Sequence, residues 1–347
     1  MNPNVLGEDI VAYAYAYGRV SGMEPKILKS GFLESVAAAK TMGEALSMLE
    51  SAGYGLDVQG IESKSHEGLE TRMSKAFRRA FEEVLSMIPD GDAESFRIVF
   101  HGEWDALNIK TVVRRIHLND LSRPDENALT PLGSMDRRLM DELSLARNTE
   151  DLYSKLPQRY RDLLKDSFIE YSKEKKLFVL ENRLDSAFVS SWLKQVSGSL
   201  RDYVKLRVDS INIMSAVKCR KAGISPRDYF VWDGFYLNAR RLAALADQNA
   251  SLSEALADTP YARIVRRAED AATQAHYIDL EAALRNFVSD EVSSNALRSP
   301  LSVYSVMRFI EFKVREYRMV RAVLLGKHAM LAPEDLRRIL SWLQGAS

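Results

Sequence analysis

One cysteine, Cys219, stands in 347 residues. No intramolecular disulfide can form, and the thiol content gives no sign of an oxidising compartment. Proline and glycine are sparse, at 10 and 17 residues, both below their average shares. A chain so poor in turn formers is a poor candidate for a sandwich or barrel of many short strands. Charge of one sign is also lacking: 48 Lys and Arg face 48 Asp and Glu. That balance excludes a protein built mainly to hold nucleic acid, which carries a basic surplus. No apolar run approaches the roughly 18 residues of a spanning helix, so the chain is not expected to cross a membrane by itself. Its opening, Met1-Asn-Pro-Asn-Val-Leu-Gly-Glu-Asp9, has no basic n-region and no apolar h-region, and no signal peptide is expected.

Catalytic machinery is equally scarce. The Gly326-Lys327 pair is followed by His328, and Arg321 stands where a phosphate loop needs its first glycine. No G-x-G-x-x-G and no G-x-S-x-G occurs. His66, His101, His117, His276 and His328 are too far apart in sequence to form a local metal pair. The expectation is a non-catalytic chain with no cofactor, no metal, no nucleic-acid partner and no small-molecule substrate.

What is present is helical and repetitive. Apolar residues make up 46% of the chain and charged residues 28%, with no convincing strand alternation. Three marks recur in the same order, three times, at a spacing of about 105 residues. The first is a helix start with an oxygen-bearing cap and an acid three residues on: Thr41-Met-Gly-Glu44, Asn148-Thr-Glu-Asp151 and Ser251-Leu-Ser-Glu254. The cap accepts a free N–H of the first turn, and the acid favours the positive end of the helix dipole. A tyrosine follows each: Tyr54, Tyr160 and Tyr261. The second mark is L-E-x-x-[LM] at Leu69-Glu70, Leu180-Glu181 and Leu280-Glu281. An apolar residue follows eight after each leucine, at Phe77, Phe188 and Val288, which completes one helical stripe.

The third mark is a long helix carrying Asp105 and Asn108, then Asp209 and Asn212, then Glu316 and Met319. A proline with acids close behind opens the next segment: Pro124-Asp-Glu126, Pro226-Arg-Asp228 and Pro333-Glu-Asp335. Proline is tolerated at a first helical position because its missing N–H would be unpaired anyway. Within the last long helix, Val303, Met307, Ile310, Val314 and Tyr317 form a heptad-like seam that Arg321 breaks. The predicted class is all-α: three tandem similar helical domains over 1–123, 124–225 and 226–347.

Several strings are familiar in this order: Tyr17-Gly-Arg-Val-Ser-Gly-Met23, Ala39-Lys-Thr-Met-Gly-Glu-Ala-Leu46 leading to Gly53-Tyr54-Gly55, and Trp104-Asp-Ala-Leu-Asn-Ile-Lys110. The ending Glu316-Tyr-Arg-Met-Val-Arg-Ala-Val-Leu-Leu-Gly-Lys327 and the tail Leu331-Ala-Pro333-Glu-Asp-Leu-Arg337 complete the set. Through them the chain resembles, over essentially its whole length, the C-type central-stalk component of A-type rotary ATPases, the counterpart of the d component of eukaryotic V-type ATPases. Met319 departs from the pattern, where the family more often has an asparagine like Asn108 and Asn212.

The resemblance implies a funnel of three similar domains with pseudo-threefold symmetry. It implies a non-catalytic rotor subunit, peripheral on the cytoplasmic face of the cell membrane. Its implied partners are the D and F proteins of the central shaft and the membrane proteolipid ring, between which it passes torque. A helical-repeat scaffold for another protein helix is the alternative from a different class.

Asp105, Asp209 and Glu316 are the candidate partner-facing residues, since they occupy equivalent places on three helices. They are read either as a ring of acids lining the opening or as buried acids that satisfy the same local geometry in each repeat. The basic pairs Arg78-Arg79, Arg114-Arg115, Arg240-Arg241 and Arg266-Arg267 are read either as contacts to anionic headgroups or as solvated faces. Tyr13 and Tyr17 fall on one helical side and are read as packing residues.

Overall fold

The computed structural model describes residues 6–56, 66–120, 129–247, 249–269 and 275–344. Every regular element among them is helical, as the sequence requires. In order these are α1 (Leu6–Met23), α2 (Ser30–Ala38), α3 (Met42–Ser51), α4 (His66–Leu85), α5 (Asp90–His117), α6 (Arg137–Ser144), α7 (Thr149–Lys155) and α8 (Gln158–Glu174). Then come α9 (Leu177–Gln195), α10 (Gly198–Lys221), α11 (Ala239–Ala246), α12 (Leu252–Ala255), α13 (Tyr261–Glu269), α14 (Ala275–Arg298), α15 (Val303–His328) and α16 (Pro333–Gln344). Two short 3-10 turns lie at Glu24–Lys26 and Arg227–Tyr229. No helix among the described residues is long and apolar enough to cross a membrane.

The caps are where the sequence places them. Thr41 Oγ1 accepts from Glu44 N at 3.1 Å, and the Glu44 carboxylate accepts from Lys40 N at 2.8 Å. Asn148 Oδ1 accepts from Asp151 N at 2.7 Å, and Asp151 accepts in turn from Arg147 N at 3.1 Å. Ser251 Oγ accepts from Glu254 N at 3.3 Å, and there the helix runs for only one turn. Pro333 is the first residue of α16, with Glu334 and Asp335 in its first turn. Pro226 leads into a 3-10 turn instead, and Pro124 lies outside the described residues. The three L-E-x-x-[LM] stripes are buried as expected: Leu69, Met73 and Phe77 on α4, Leu180, Leu184 and Phe188 on α9, and Leu280, Leu284 and Val288 on α14.

The chain packs as two compact units. The first takes Met1–Glu94 together with Ser289–Ser347, so it is built from both ends of the sequence. Its axis is α15, on which α1, α2, α3, α4 and α16 all pack. Met307, Ile310, Val314 and Tyr317 of the heptad-like seam are buried there. Each such side chain removed from water contributes roughly 1.5–3 kcal/mol. Polar ties fix the register: Arg308 pairs with Glu24 at 2.6 Å, and Lys327 Nζ donates to the carbonyls of Ala37 and Ala39 at the end of α2. Tyr13 is buried and donates to Asp92 at 2.7 Å, whereas Tyr17 is exposed, so the packing role read for both belongs to Tyr13 alone.

The second unit is Ser95–Val288. There α9 packs against both α8 and α10, and α10 packs on α11. A core of Ile213, Leu242, Leu245, Leu256, Tyr261, Val265 and Leu280 gathers α10 to α14.

Candidate functional site

Asp105, Asp209 and Glu316 are 0%, 0% and 1% exposed. An acid on a buried helix face must find donors, and each of these finds them in a connecting segment rather than in solvent. Asp105, on α5, accepts from the backbone N–H groups of Ser134 at 3.0 Å and Met135 at 3.3 Å. The Ser134 hydroxyl also donates to it, and the Tyr160 hydroxyl does so at 2.5 Å. Asp209, on α10, repeats the pattern. It accepts from Tyr236 N at 2.7 Å, Leu237 N at 3.2 Å and the Tyr261 hydroxyl at 3.2 Å.

Three residues on, the asparagines lock the same segments. Asn108 donates to Thr130 O and accepts from Thr130 N, both at 2.8 Å. Asn212 makes the same pair of hydrogen bonds with Val231, again 2.8 Å each way. The amide thus imitates a backbone partner for an otherwise unpaired residue.

A glycine lets each segment come this close. A methyl group on Gly133 would stand 1.9 Å from Asp105 Oδ1, and one on Gly234 would stand 2.1 Å from Asp209 Oδ1. Immediately afterwards the chain turns into a helix. Asp136 caps α6 at Leu139 N and Asn238 caps α11 at Arg241 N.

Glu316, the third of these acids, is tied across the chain ends. Glu316 on α15 accepts from Leu28 N at 2.7 Å, and Lys313 donates to its second oxygen. Tyr54 is buried nearby, with the Lys313 ammonium 5.5 Å from its ring centre. Burial first, then the Glu316 carboxylate, pushes the Tyr54 phenol well above its usual range. No amide clamp exists here because Met319 replaces the asparagine. The acid is also one methylene longer, so the partner backbone need not approach as closely and no glycine is required.

The glutamates of the second mark act as further ties. Glu70 is fully buried and accepts from the Tyr317 hydroxyl at 2.5 Å and Arg321 Nε at 3.0 Å, while Glu181 pairs with Arg114. Arg321, the residue that breaks the seam of α15, is therefore a buried acid's partner. Of the basic pairs, Arg115 donates to Ala146 O at 2.5 Å and Arg241 to Tyr236 O at 3.0 Å, while Arg78, Arg79, Arg240 and Arg266 are exposed. The Arg267 side chain lies outside the described residues, as do those of His66 and His276.

Electrostatics at the clamp follow from burial. Desolvation raises the Asp209 carboxyl to about 6, against the pull of the Tyr236 and Leu237 N–H groups and the Tyr261 hydroxyl. The same cause raises Tyr160, and Asp105 adds to it. A carboxyl raised by folding adds stability while it is protonated. That contribution is complete below the ordinary value near 3.8 and is lost as pH rises through about 6. The stability of the parent minus that of Asp209→Asn should therefore shrink between about pH 4 and pH 6.5, by up to about 3 kcal/mol. Denaturant unfolding of both proteins across this range measures it, and a difference that widens with pH would contradict the assignment.

Cys219 is buried and its thiol is pushed up to about 11 by burial, so it is a poor nucleophile. Among the described residues, no three of His, Cys, Asp and Glu are grouped so as to hold a metal ion. His117 is engaged with the Tyr171 hydroxyl at 2.9 Å.

Comparison with known proteins places these features in context. A family model described as ATP synthase (C/AC39) subunit matches residues 16–339. The chain is 26% identical to the C subunit of the A-type ATP synthase of Haloferax volcanii, over 84% of its own length and 87% of that protein's. It is 24% identical to the protein of the same name from Methanocaldococcus jannaschii, over 96% and 87%. The corresponding protein of Thermococcus kodakarensis is 22% identical, over 94% and 90%.

Proposed function

Since the chain belongs to the ATP synthase (C/AC39) subunit family, we propose that it is a non-catalytic rotor subunit of an A-type ATP synthase. In this role it links the D and F proteins of the central shaft to the membrane proteolipid ring and carries torque between them. It sits peripherally, on the cytoplasmic face of the cell membrane, and takes no cofactor. The match across residues 16–339 is the observation that carries the reading.

The clamps add a physical argument. A part that carries torque must resist deformation, and polar networks that are buried and satisfied rigidify the elements they join. Here one long helix in each repeat is tied to a segment distant in sequence by a fully buried acid. The second compact unit holds two such ties and the first holds one, made by the two chain ends. This favours three similar repeats, over 1–123, 124–225 and 226–347, whose third member borrows the amino-terminal segment. A funnel with pseudo-threefold symmetry belongs to the same proposal. Asp105, Asp209 and Glu316 then serve the partners indirectly, by holding the repeats rigid.

The test is a pull-down of the tagged full chain from its native membranes. Shaft proteins and proteolipid should be retained together. Recovery of an unrelated helical partner in their place would support a scaffold and overturn the rotor reading.

A further inference from the structure

A polar cavity of about 150 Å³ opens within the second unit, among α5, α9, α10 and α14. Most of its charges are already paired. Lys110 meets Asp185 at 2.6 Å, and Arg114 meets Glu181. Arg285 reaches Glu281 at 3.3 Å, and Arg207 reaches Glu103, just outside the lining, at 3.0 Å. One lining cation remains: Lys218, half-buried on α10, makes no ion pair among the described residues.

Beside it the cavity holds an unsatisfied amide. Asn182 on α9 is 7% exposed, and its Nδ2 has no hydrogen-bond partner. Its Oδ1 lies 2.9 Å from Ser215 Oγ, which also lies 2.7 Å from Ile211 O. The serine has one proton for these two acceptors. As placed, the amide presents a buried donor that lacks a protein partner, an unmet hydrogen bond that an occupant with an acceptor oxygen fills.

We propose that this cavity binds a small phosphoryl oxyanion, held by the Lys218 ammonium and the Asn182 amide. The charge surplus calls for an anion. The amide calls for an occupant with oxygen atoms that accept and, when singly protonated, donate. Size favours a small occupant, since the cavity offers about 150 Å³. Inorganic phosphate or a very small phosphate ester fits that volume. This binding stands apart from the rotor reading and does not depend on it.

Titration calorimetry of the full chain with inorganic phosphate, at ionic strength held constant with chloride, tests the proposal. Saturable binding is expected, weakened at least about tenfold in Lys218→Met, the loss expected for one charge-assisted contact of about 1.5–3 kcal/mol. Asn182→Asp, which sets a carboxylate against the anion, should abolish it. If either variant fails to fold by circular dichroism, Lys218→Gln supplies the comparison. Methyl phosphate binding more tightly than phosphate would assign the site to a small ester, and the reverse would assign it to the free ion. Absence of saturable binding beyond the chloride control, or equal affinity in the parent and the folded Lys218 variant, would overturn the proposal and leave a water-filled cavity.

Discussion

Gly133→Ala and Gly234→Ala are each expected to destabilise the protein by about 3 kcal/mol or more, a large effect for one methyl group on a connecting segment. The added carbon would sit 1.9 Å or 2.1 Å from a carboxylate oxygen, well inside van der Waals contact. Something must move, and both sides are constrained. Asp105 and Asp209 are fully buried, and their carboxylates accept from two backbone N–H groups each. If the segment lifts, those N–H groups and a buried charge lose each other, at about 1–3 kcal/mol for each group left unsatisfied. The paired amide bonds of Asn108 and Asn212 would be strained in the same movement.

Gly18→Ala makes the control. Gly18 lies in the middle of α1 with nothing within 4 Å of an added methyl, so alanine should raise stability by as much as about 1 kcal/mol. Opposite signs for one substitution, read by denaturant unfolding, would place the effect in the clamp. Losses under about 1 kcal/mol at both clamp glycines would show that the segments adjust freely, and the rigid-tie account would fail.

Much of this was legible in the residues themselves. The caps at Thr41 and Asn148 and the stripes of α4, α9 and α14 rest on local rules. A side-chain oxygen three residues before an N–H, or a leucine every fourth position, acts within one or two helical turns. The equivalence of Asp105, Asp209 and Glu316 was likewise visible from their shared place on long helices. What each carboxylate touches was not. Its donors lie 27 to 30 residues away for Ser134, Met135, Tyr236 and Leu237, and 288 away for Leu28, separations that no helical period encodes.

A signal did exist for the two glycines. Gly133 precedes the α6 cap Asp136, and Gly234 precedes the α11 cap Asn238, so a glycine followed by a cap recurs after each Asp-x-x-Asn helix. Nothing in the tandem order shows that the amino-terminal segment supplies a donor to Glu316. Leu28 and Glu316 lie 288 residues apart, and only the fold brings them together. The cavity around Lys218 was hidden for a related reason, because its charges come from four helices and each reads alone as an ordinary solvated face.

The proposed coupling role predicts a loss larger than any single substitution can cause. A rigid, non-catalytic link between shaft and ring contributes nothing to ATP hydrolysis in the head but is needed for every ion moved. Sealed membrane vesicles carrying the complex with and without this chain separate the two activities, through ATP hydrolysed and ion gradient formed in the same sample. Vesicles lacking the chain should keep hydrolysing ATP while the gradient falls to background, and adding back the purified protein should restore it. Chain-free vesicles that form the same gradient per ATP, or that lose hydrolysis along with the gradient, would contradict a part whose work is purely mechanical.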